Sequence, residues 1–302
     1  MRRIRSFAAL LVFAFLPTFL HPECTGDHDQ RSNKASGLLI TDFSISGTHT
    51  LSSEELARIT SELTGSCFDE NTEELTERIE ALFKNRGYME TMVKNVYIRP
   101  NDPLAIPKPV SLEAEVVEGR RSKVAAIEFV GNHAFSTSKL RSEFSLKKGD
   151  LFARNKIGTG IEGVRDLYVS DGFIDWIASA GTAQRSDGSV ALTLTVAEGP
   201  QYRMGKLEIF TKKELADTLR TDWELPEGAV FDLKYIEKYI DRNRSRLPAA
   251  FNRADVQIIR DCRDFSVVVR LPLDGTDPRS QSLPQDIDCK PPHGASQSSP
   301  EN

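Results

Sequence analysis

The chain has 302 residues, of which 39% are apolar and 27% are charged, and its formal net charge is −5. This composition is typical of globular proteins, and the length suits two or three small domains, so disorder of the whole chain is excluded. Acidic and basic residues are mixed along the sequence. Because a nucleic-acid-binding surface needs a basic field, we expect no nucleic-acid partner.

The first residues have the pattern of a signal peptide. Arg2, Arg3 and Arg5 precede an unbroken apolar run at residues 7–16, which is shorter than the roughly 20 residues of a membrane-spanning helix. We therefore expect residues 1–37 to be a signal peptide with a linker. The mature protein is then periplasmic, in association with the outer membrane.

Two other fates of the N-terminus stay open. An uncleaved segment extended through residues 19–20 would anchor the chain in the inner membrane. Lipidation of Cys24 is the other, although residues 21–23 before it lack the small side chains that such processing uses.

A short pattern of glycine, small or polar residue, apolar residue and phenylalanine occurs three times. It begins at Gly65, Gly149 and Gly228, so the spacing is 84 and then 79 residues. A fixed period of this kind indicates a repeated structural unit. Further landmarks keep nearly the same spacing: Gly47 and Gly131, Gly87 and Gly172, and the Glu-Gly pairs 118–119 and 198–199.

The hydrophobic pattern changes in the same order within each unit. An alternating segment predicts a strand, and a helix start follows it, with capping boxes at Ser52/Glu55 and Thr211/Glu214 and an N-cap at Ser136. The Gly-x-x-Phe turn leads to a second helix. Two alternating segments then form a hairpin, predicted in the second copy at residues 174–180 and 190–197.

The sequence therefore predicts an α+β protein of tandem βααββ modules. Each module has a three-stranded mixed sheet with two helices on one face. The modules cover residues 38–119, 120–200 and 201–275, the last being divergent, and residues 276–302 form a disordered tail. We expect the modules to be separable, with proteolytic cleavage near Gly119, near Gly199 and in the proline-rich segment 99–109.

These repeats resemble the POTRA (polypeptide-transport-associated) repeats of outer-membrane barrel assembly factors and two-partner secretion transporters. The resemblance is carried by residues 127–132 with Phe135, by residues 148–152, and by residues 167–173 of the second copy. It implies periplasmic modules that bind envelope proteins through an exposed sheet edge. Such repeats usually precede a membrane barrel, whereas 27 residues follow residue 275 here, so we expect the repeats without the barrel.

The function expected from this resemblance is a non-enzymatic binding scaffold that assists outer-membrane protein assembly or polypeptide transport. Its partners would be other envelope proteins, namely an outer-membrane barrel or unfolded client chains, with no small-molecule substrate. Membrane contact is expected only through partners or the N-terminal segment. The alternative is a structural scaffold for cell division or wall organisation, anchored by an uncleaved N-terminus.

The candidate partner-binding site is the second strand of module 2, which lies at a sheet edge in the family. Its predicted residues are Ile174, Trp176, Ile177, Ala178 and Ala180. Successive N–H groups of a strand point to opposite sides. Because proline removes the N–H donor, we expect one of Ile177→Pro and Ala178→Pro to destabilise the module and the other to weaken partner binding.

No cofactor, metal or catalytic site is predicted. Residues 158–163 match Gly-x-Gly-x-x-Gly but fall inside a predicted helix, where the dinucleotide fingerprint cannot work. Cys67 aligns with Leu151 and Val230, which predicts a buried apolar residue. Cys24, Cys262 and Cys289 are left for pairing, and we predict a disulfide between Cys262 and Cys289.

Overall fold

A computed structural model describes residues 37–68 and 71–274. They divide into two compact units, one with residues 37–68, 71–83 and 91–118, and one with residues 84–90 and 119–274. The first unit contains most of module 1, and the second contains residues 84–90 and 119 of module 1 together with modules 2 and 3. The predicted signal peptide and tail lie outside the described residues, and the predicted module boundaries stay predictions.

Among its described residues, module 1 has four strands and two helices. Its elements are β1 (Leu38–Ser46), α1 (Ser53–Leu63), β2 (Cys67–Phe68), α2 (Thr72–Lys84), β3 (Met92–Pro100) and β4 (Lys108–Val117). The strand order is β2-β1-β4-β3, with β1 and β4 parallel and β3 antiparallel to β4. The two-residue strand β2 is an addition to the three strands predicted.

Modules 2 and 3 repeat this arrangement. Module 2 has β5 (Val124–Val130), α3 (Thr137–Ser142), α4 (Arg154–Ser170), β6 (Ile177–Gln184) and β7 (Val190–Ala197), in the order β5-β7-β6. Module 3 has β8 (Arg203–Phe210), α5 (Lys213–Thr221), α6 (Leu233–Arg242), β9 (Gln257–Asp261) and β10 (Ser266–Pro272), in the order β8-β10-β9. The predicted mixed three-stranded sheet is confirmed.

The helices cover one face of each sheet. Along β4 the buried residues alternate with less buried ones, as expected of a strand that faces a core on one side. The core of module 2 combines one face of β5 and β7 with the inner sides of α3 and α4. Module 3 has a core of the same kind.

The Gly-x-x-Phe turn makes the same contacts in all three modules. The N–H of Gly65, Gly149 and Gly228 donates to a first-strand carbonyl at 2.7, 2.8 and 2.7 Å. All three glycines have positive φ, which side chains disfavour. The turn therefore pairs with the outer side of the first strand, through β2 in module 1 and through single bridges in the other modules.

The glutamates of the Glu-Gly pairs, Glu118 and Glu198, form hydrogen bonds with the loop that follows the first strand of their module. Glu118 is 4% exposed, and it accepts hydrogen bonds from the backbone N–H groups of His49 and Thr50 at 2.7 and 2.9 Å and from Thr50 Oγ1 at 2.6 Å. Burial raises the pKa of this carboxyl group, but the hydrogen bonds outweigh burial and lower the pKa below its usual range. Glu198 binds His133 N and Ala134 N in the same way.

Two of the three predicted helix starts are confirmed. Ser52 and Glu55 form the capping box of α1, and Ser136 caps α3. The capping box at Thr211 is wrong, because α5 begins one residue later than expected and Lys212 takes the N-cap position without a side-chain bond.

Candidate partner-binding edge

Strand β6 lies at the edge of the module 2 sheet and pairs only with β7 in that sheet. Its eight residues carry no charge and no proline, and the first charged residue after them is Arg185. The register with β7 is continuous over the whole strand, without a bulge. Natural sheet edges are usually protected by charges, prolines, bulges or short length, and β6 has none of these.

The register settles which N–H groups face outward. Arg185 N donates to Ser189 O at 2.8 Å, which makes residue 185 an inward-bonded position opposite residue 189. Antiparallel pairs alternate between bonded and non-bonded positions. The odd-numbered residues of β6 therefore donate to β7, and Ala178, Ala180, Thr182 and Gln184 direct their N–H groups away from the sheet. On the far side of β7, Val190 N donates to Lys123 O, as this alternation requires.

The predicted site residues divide into two groups. Ile177, Ala178 and Ala180 lie on β6, and Ile177 is 53% exposed. Ile174 and Trp176 precede the strand, so their assignment to it is wrong. Ile174 packs against the module 3 core, and Trp176 N donates to Phe173 O in a turn.

The edge also extends further than predicted, through Thr182, Ala183 and Gln184. These residues lack the alternating large apolar side chains that indicate a strand. The signal that could have found them is the uncharged run that continues to Arg185.

An aromatic cluster positions the start of β6. The ring of Trp176 stacks on that of Tyr168 with 5.6 Å between centroids, and Phe135 meets Tyr168 edge-on at 5.0 Å. Tyr168 donates its hydroxyl proton to Glu198 at 2.8 Å. Burial, together with this bond, raises the pKa of Tyr168 well above its usual range, so the hydroxyl stays a donor.

The corresponding edge strand of module 1 is protected. Strand β3 contains Lys94 and Arg99, which pair with Glu115 at 3.6 Å and Glu113 at 3.1 Å. It has a register irregularity between Val93 and Asn95 and ends at a proline.

The corresponding edge of module 3, β9, is short and half-buried along all five residues. Its Arg260 forms an ion pair with Asp175, which lies just before β6. Asp175 also accepts a hydrogen bond from Tyr202 Oη at 2.7 Å, and Tyr202 is fully buried. These contacts fix the junction of modules 2 and 3 on both sides of Gly199.

The cysteines differ from the prediction. Among the described residues, Cys67 and Cys262 are both in disulfide bonds. The expectation that Cys67 is a buried apolar residue is wrong, because it is half-buried on the edge strand β2, where a sulfur atom can reach a partner. The pairing of Cys262 with Cys289 stays a prediction, since Cys289 lies outside the described residues.

Within residues 37–68 and 71–274, no helix is long and apolar enough to cross a membrane. The same residues contain no group of three or more His, Cys, Asp or Glu side chains placed to hold a metal ion.

The family model of POTRA, described as surface antigen variable number repeat, matches residues 122–199. The three consecutive modules also share their fold with a crystal structure of POTRA domains 3–5 of BamA from Haemophilus influenzae. The TM-score is 0.58 at 17% identity, covering 78% of this chain and 96% of that one. Module 2 is therefore a POTRA domain, within a chain of POTRA-like fold.

Several curated proteins are similar in sequence, among them the following two. The outer membrane protein assembly factor BamA of Neisseria meningitidis is 29% identical over 126 residues, which is 38% of this chain and 16% of that protein. A putative outer membrane protein assembly factor of Treponema pallidum is 30% identical over 146 residues, or 43% of this chain and 17% of that protein. The chain thus spans less than a fifth of the length of either relative.

Proposed function

We propose that this protein is a non-enzymatic periplasmic scaffold that assists outer-membrane protein assembly or transport. It binds an extended segment of an envelope protein by strand addition to β6. Support for the role comes from the similarity of 38% and 43% of this chain to regions of two outer membrane protein assembly factors, one of them putative. The similarity covers a small part of those proteins, so the role rests on this chain's own surface as well.

The observation that carries the mechanism is the unprotected edge of β6. Its outward N–H groups recur at every second residue across Ala178, Ala180, Thr182 and Gln184, with no charge to repel an incoming strand. Main-chain hydrogen bonds give affinity without requiring a particular sequence in the partner. An assembly factor that receives many client chains needs this tolerance.

Proline substitutions at neighbouring positions test the mechanism. Ala178→Pro removes an outward donor, so we expect the module to fold and to lose much of its partner binding. Ile177→Pro removes a donor to β7, so we expect it to destabilise the module. The probe is an outer-membrane β-barrel protein unfolded in urea and diluted into the scaffold, with binding followed by fluorescence anisotropy.

Ala180→Pro provides a second outward position in the middle of the strand, and we expect it to behave as Ala178→Pro does. Wild-type binding by both folded variants would exclude strand addition at β6. The alternative of an anchored structural scaffold depends on residues 1–20, which lie outside the described residues, and no described contact favours it.

A further inference from the structure

Two large aliphatic side chains project from the β3–β4 hairpin of module 1. Leu104 is 91% exposed and Ile106 is 86% exposed, while the other large exposed apolar side chains among the described residues reach at most 59%. Both lie in the connecting loop at residues 101–107, here called the hairpin tip. Exposing aliphatic surface to water has a free-energy cost, which is removed when the surface is covered.

The base of the hairpin tip is fixed to the sheet through Asn101. Its N–H donates to Pro109 O at 2.9 Å, its Nδ2 donates to Thr41 Oγ1 at 2.9 Å, and its Oδ1 accepts from Ser111 Oγ at 3.1 Å. Prolines at positions 103 and 107 further restrict the backbone. The two aliphatic side chains are therefore presented on a preorganised loop, and little conformational entropy is lost when they are covered.

The backbone of the hairpin tip has few N–H groups that need water. Leu104 N donates to Asp102 Oδ1 at 3.0 Å, and Ala105 N donates to Asp102 O at 3.4 Å. Pro103 and Pro107 have no N–H at all. Since apolar surroundings penalise every backbone donor without a partner, this loop can leave water at a low cost.

Charge around the hairpin tip is balanced. Asp102 and Lys108 carry opposite charges at its two ends, and Arg99 behind it pairs with Glu113 at 3.1 Å. The apolar contact therefore has to supply the attraction, and it does not depend on the sign of the opposing surface.

The chemistry of the hairpin tip favours a lipid surface over a protein pocket. Protein interfaces are anchored mainly by Trp, Tyr and Arg, and Leu is under-represented among such anchors. Residues 103–107 of the hairpin tip carry aliphatic side chains and prolines only, and Leu104 and Ile106 are almost fully exposed, so this segment fits a soft apolar medium. We propose that residues 103–107 insert Leu104 and Ile106 into the interfacial region of a lipid bilayer. This contact goes beyond strand addition and adds to the membrane contacts expected from the sequence.

The test places a fluorophore at the hairpin tip of the full chain. Leu104→Trp is mixed with vesicles of phosphatidylcholine whose acyl chains are brominated, because bromine quenches tryptophan emission at short range. We expect the variant to lose emission relative to its signal with unbrominated vesicles. Tyr97→Trp, on the same hairpin and 50% exposed, is the control, and we expect no added quenching there, even if another segment brings the chain to the membrane.

Vesicle flotation gives an independent measurement. A double variant, Leu104→Ser with Ile106→Ser, should lower the vesicle-bound fraction by about tenfold, because it replaces both inserted aliphatic side chains with small polar ones. Addition of phosphatidylglycerol to the vesicles should change this ratio little, because the local charge is balanced. Equal quenching of the Leu104→Trp and Tyr97→Trp variants, or unchanged flotation of the double variant, would overturn the proposal. The proposal would also be overturned if the double variant lost binding to a protein and kept its vesicle binding, because the hairpin tip would then dock into a protein pocket.

Discussion

Strands β6 and β9 occupy the same place in two copies of one module, and their surroundings are opposite. β6 has eight uncharged residues, most of them exposed, whereas β9 has five residues that are all half-buried. The end of β9 is held by an ion pair from Arg260 and by the disulfide of Cys262. The comparison shows that the βααββ topology creates an edge in every copy, and that a few side chains decide whether it is available to a partner.

The largest expected effect comes from the disulfide next to β9. Cys262→Ser should lower the free energy of unfolding of module 3 by about 3 kcal/mol. The chain-entropy model assigns about that much to the loop that the predicted Cys262–Cys289 disulfide would close. Denaturant unfolding followed through Trp223, in a Trp176→Phe background, measures it. Reduction of the disulfides should destabilise the parent protein and leave module 3 of the variant unchanged.

Peptide mapping without reduction tests the pairing itself. We expect Cys262 to be joined to Cys289, which leaves Cys24 as the partner of Cys67 among the four cysteines. A peptide that joins Cys262 to Cys24 or to Cys67 would show that the predicted pairing is wrong.

The next effect concerns the helix that supports β6. A methyl group at Gly160 would lie 2.2 Å from the ring of Phe144, which is buried in the module 2 core. Gly160→Ala should therefore cost about 2 kcal/mol by overpacking. Gly158 lies on the same helix with open space around it, so Gly158→Ala should stabilise by up to about 1 kcal/mol through helix propensity. The free energy of unfolding of both variants is measured through Trp176 fluorescence in a Trp223→Phe background. Equal changes in both variants would contradict the packing.

A smaller effect is expected at the junction of modules 2 and 3. Asp175→Ala removes the ion pair between Asp175 and Arg260 and one hydrogen-bond acceptor of the Tyr202 hydroxyl, at a cost of about 1.5 kcal/mol. The variant should also make β9 and the segment near Gly199 more sensitive to limited proteolysis. Asp171→Ala, in the same loop, is the control, and cleavage near Gly199 in both variants to the same extent would contradict the role of Asp175.

The smallest effect on stability is expected from a charge on β6. Ala180→Lys gives this strand the protection found in β3 and should change the free energy of unfolding by less than about 0.5 kcal/mol. Binding of an unfolded outer-membrane protein should nevertheless fall. Gln257→Lys in β9 is the control, and we expect it to leave binding of the unfolded protein unchanged.

The repeat unit could be predicted because it rests on local rules. The glycines at the Gly-x-x-Phe turn need positive φ, and the cap at Ser52 and the apolar face of α2 follow from spacing alone. These features depend on residues near each other in the chain. The edge position of the second strand of module 2 is implied by the family resemblance.

The remaining features depend on contacts between distant residues. The start of β6 was misplaced because Ile174 and Trp176 are apolar and alternate, as a strand would, but pack on the module 3 core and on Tyr168. The disulfide of Cys67 and the role of Gly160 also depend on partners far away in sequence. Exposure of Leu104 and Ile106 could not be predicted, since composition does not show that a proline-rich loop projects from the sheet.

Residue-resolved hydrogen exchange tests strand addition at β6 most directly. In the free protein, the N–H groups of Ser179, Gly181 and Ala183 should exchange slowly, and those of Ala178, Ala180 and Thr182 should exchange fast. When an unfolded outer-membrane β-barrel protein is bound, the second set should become slow while β9 remains unchanged. If binding occurs and Ala178, Ala180 and Thr182 still exchange at their free rates, partner binding by β6 is contradicted.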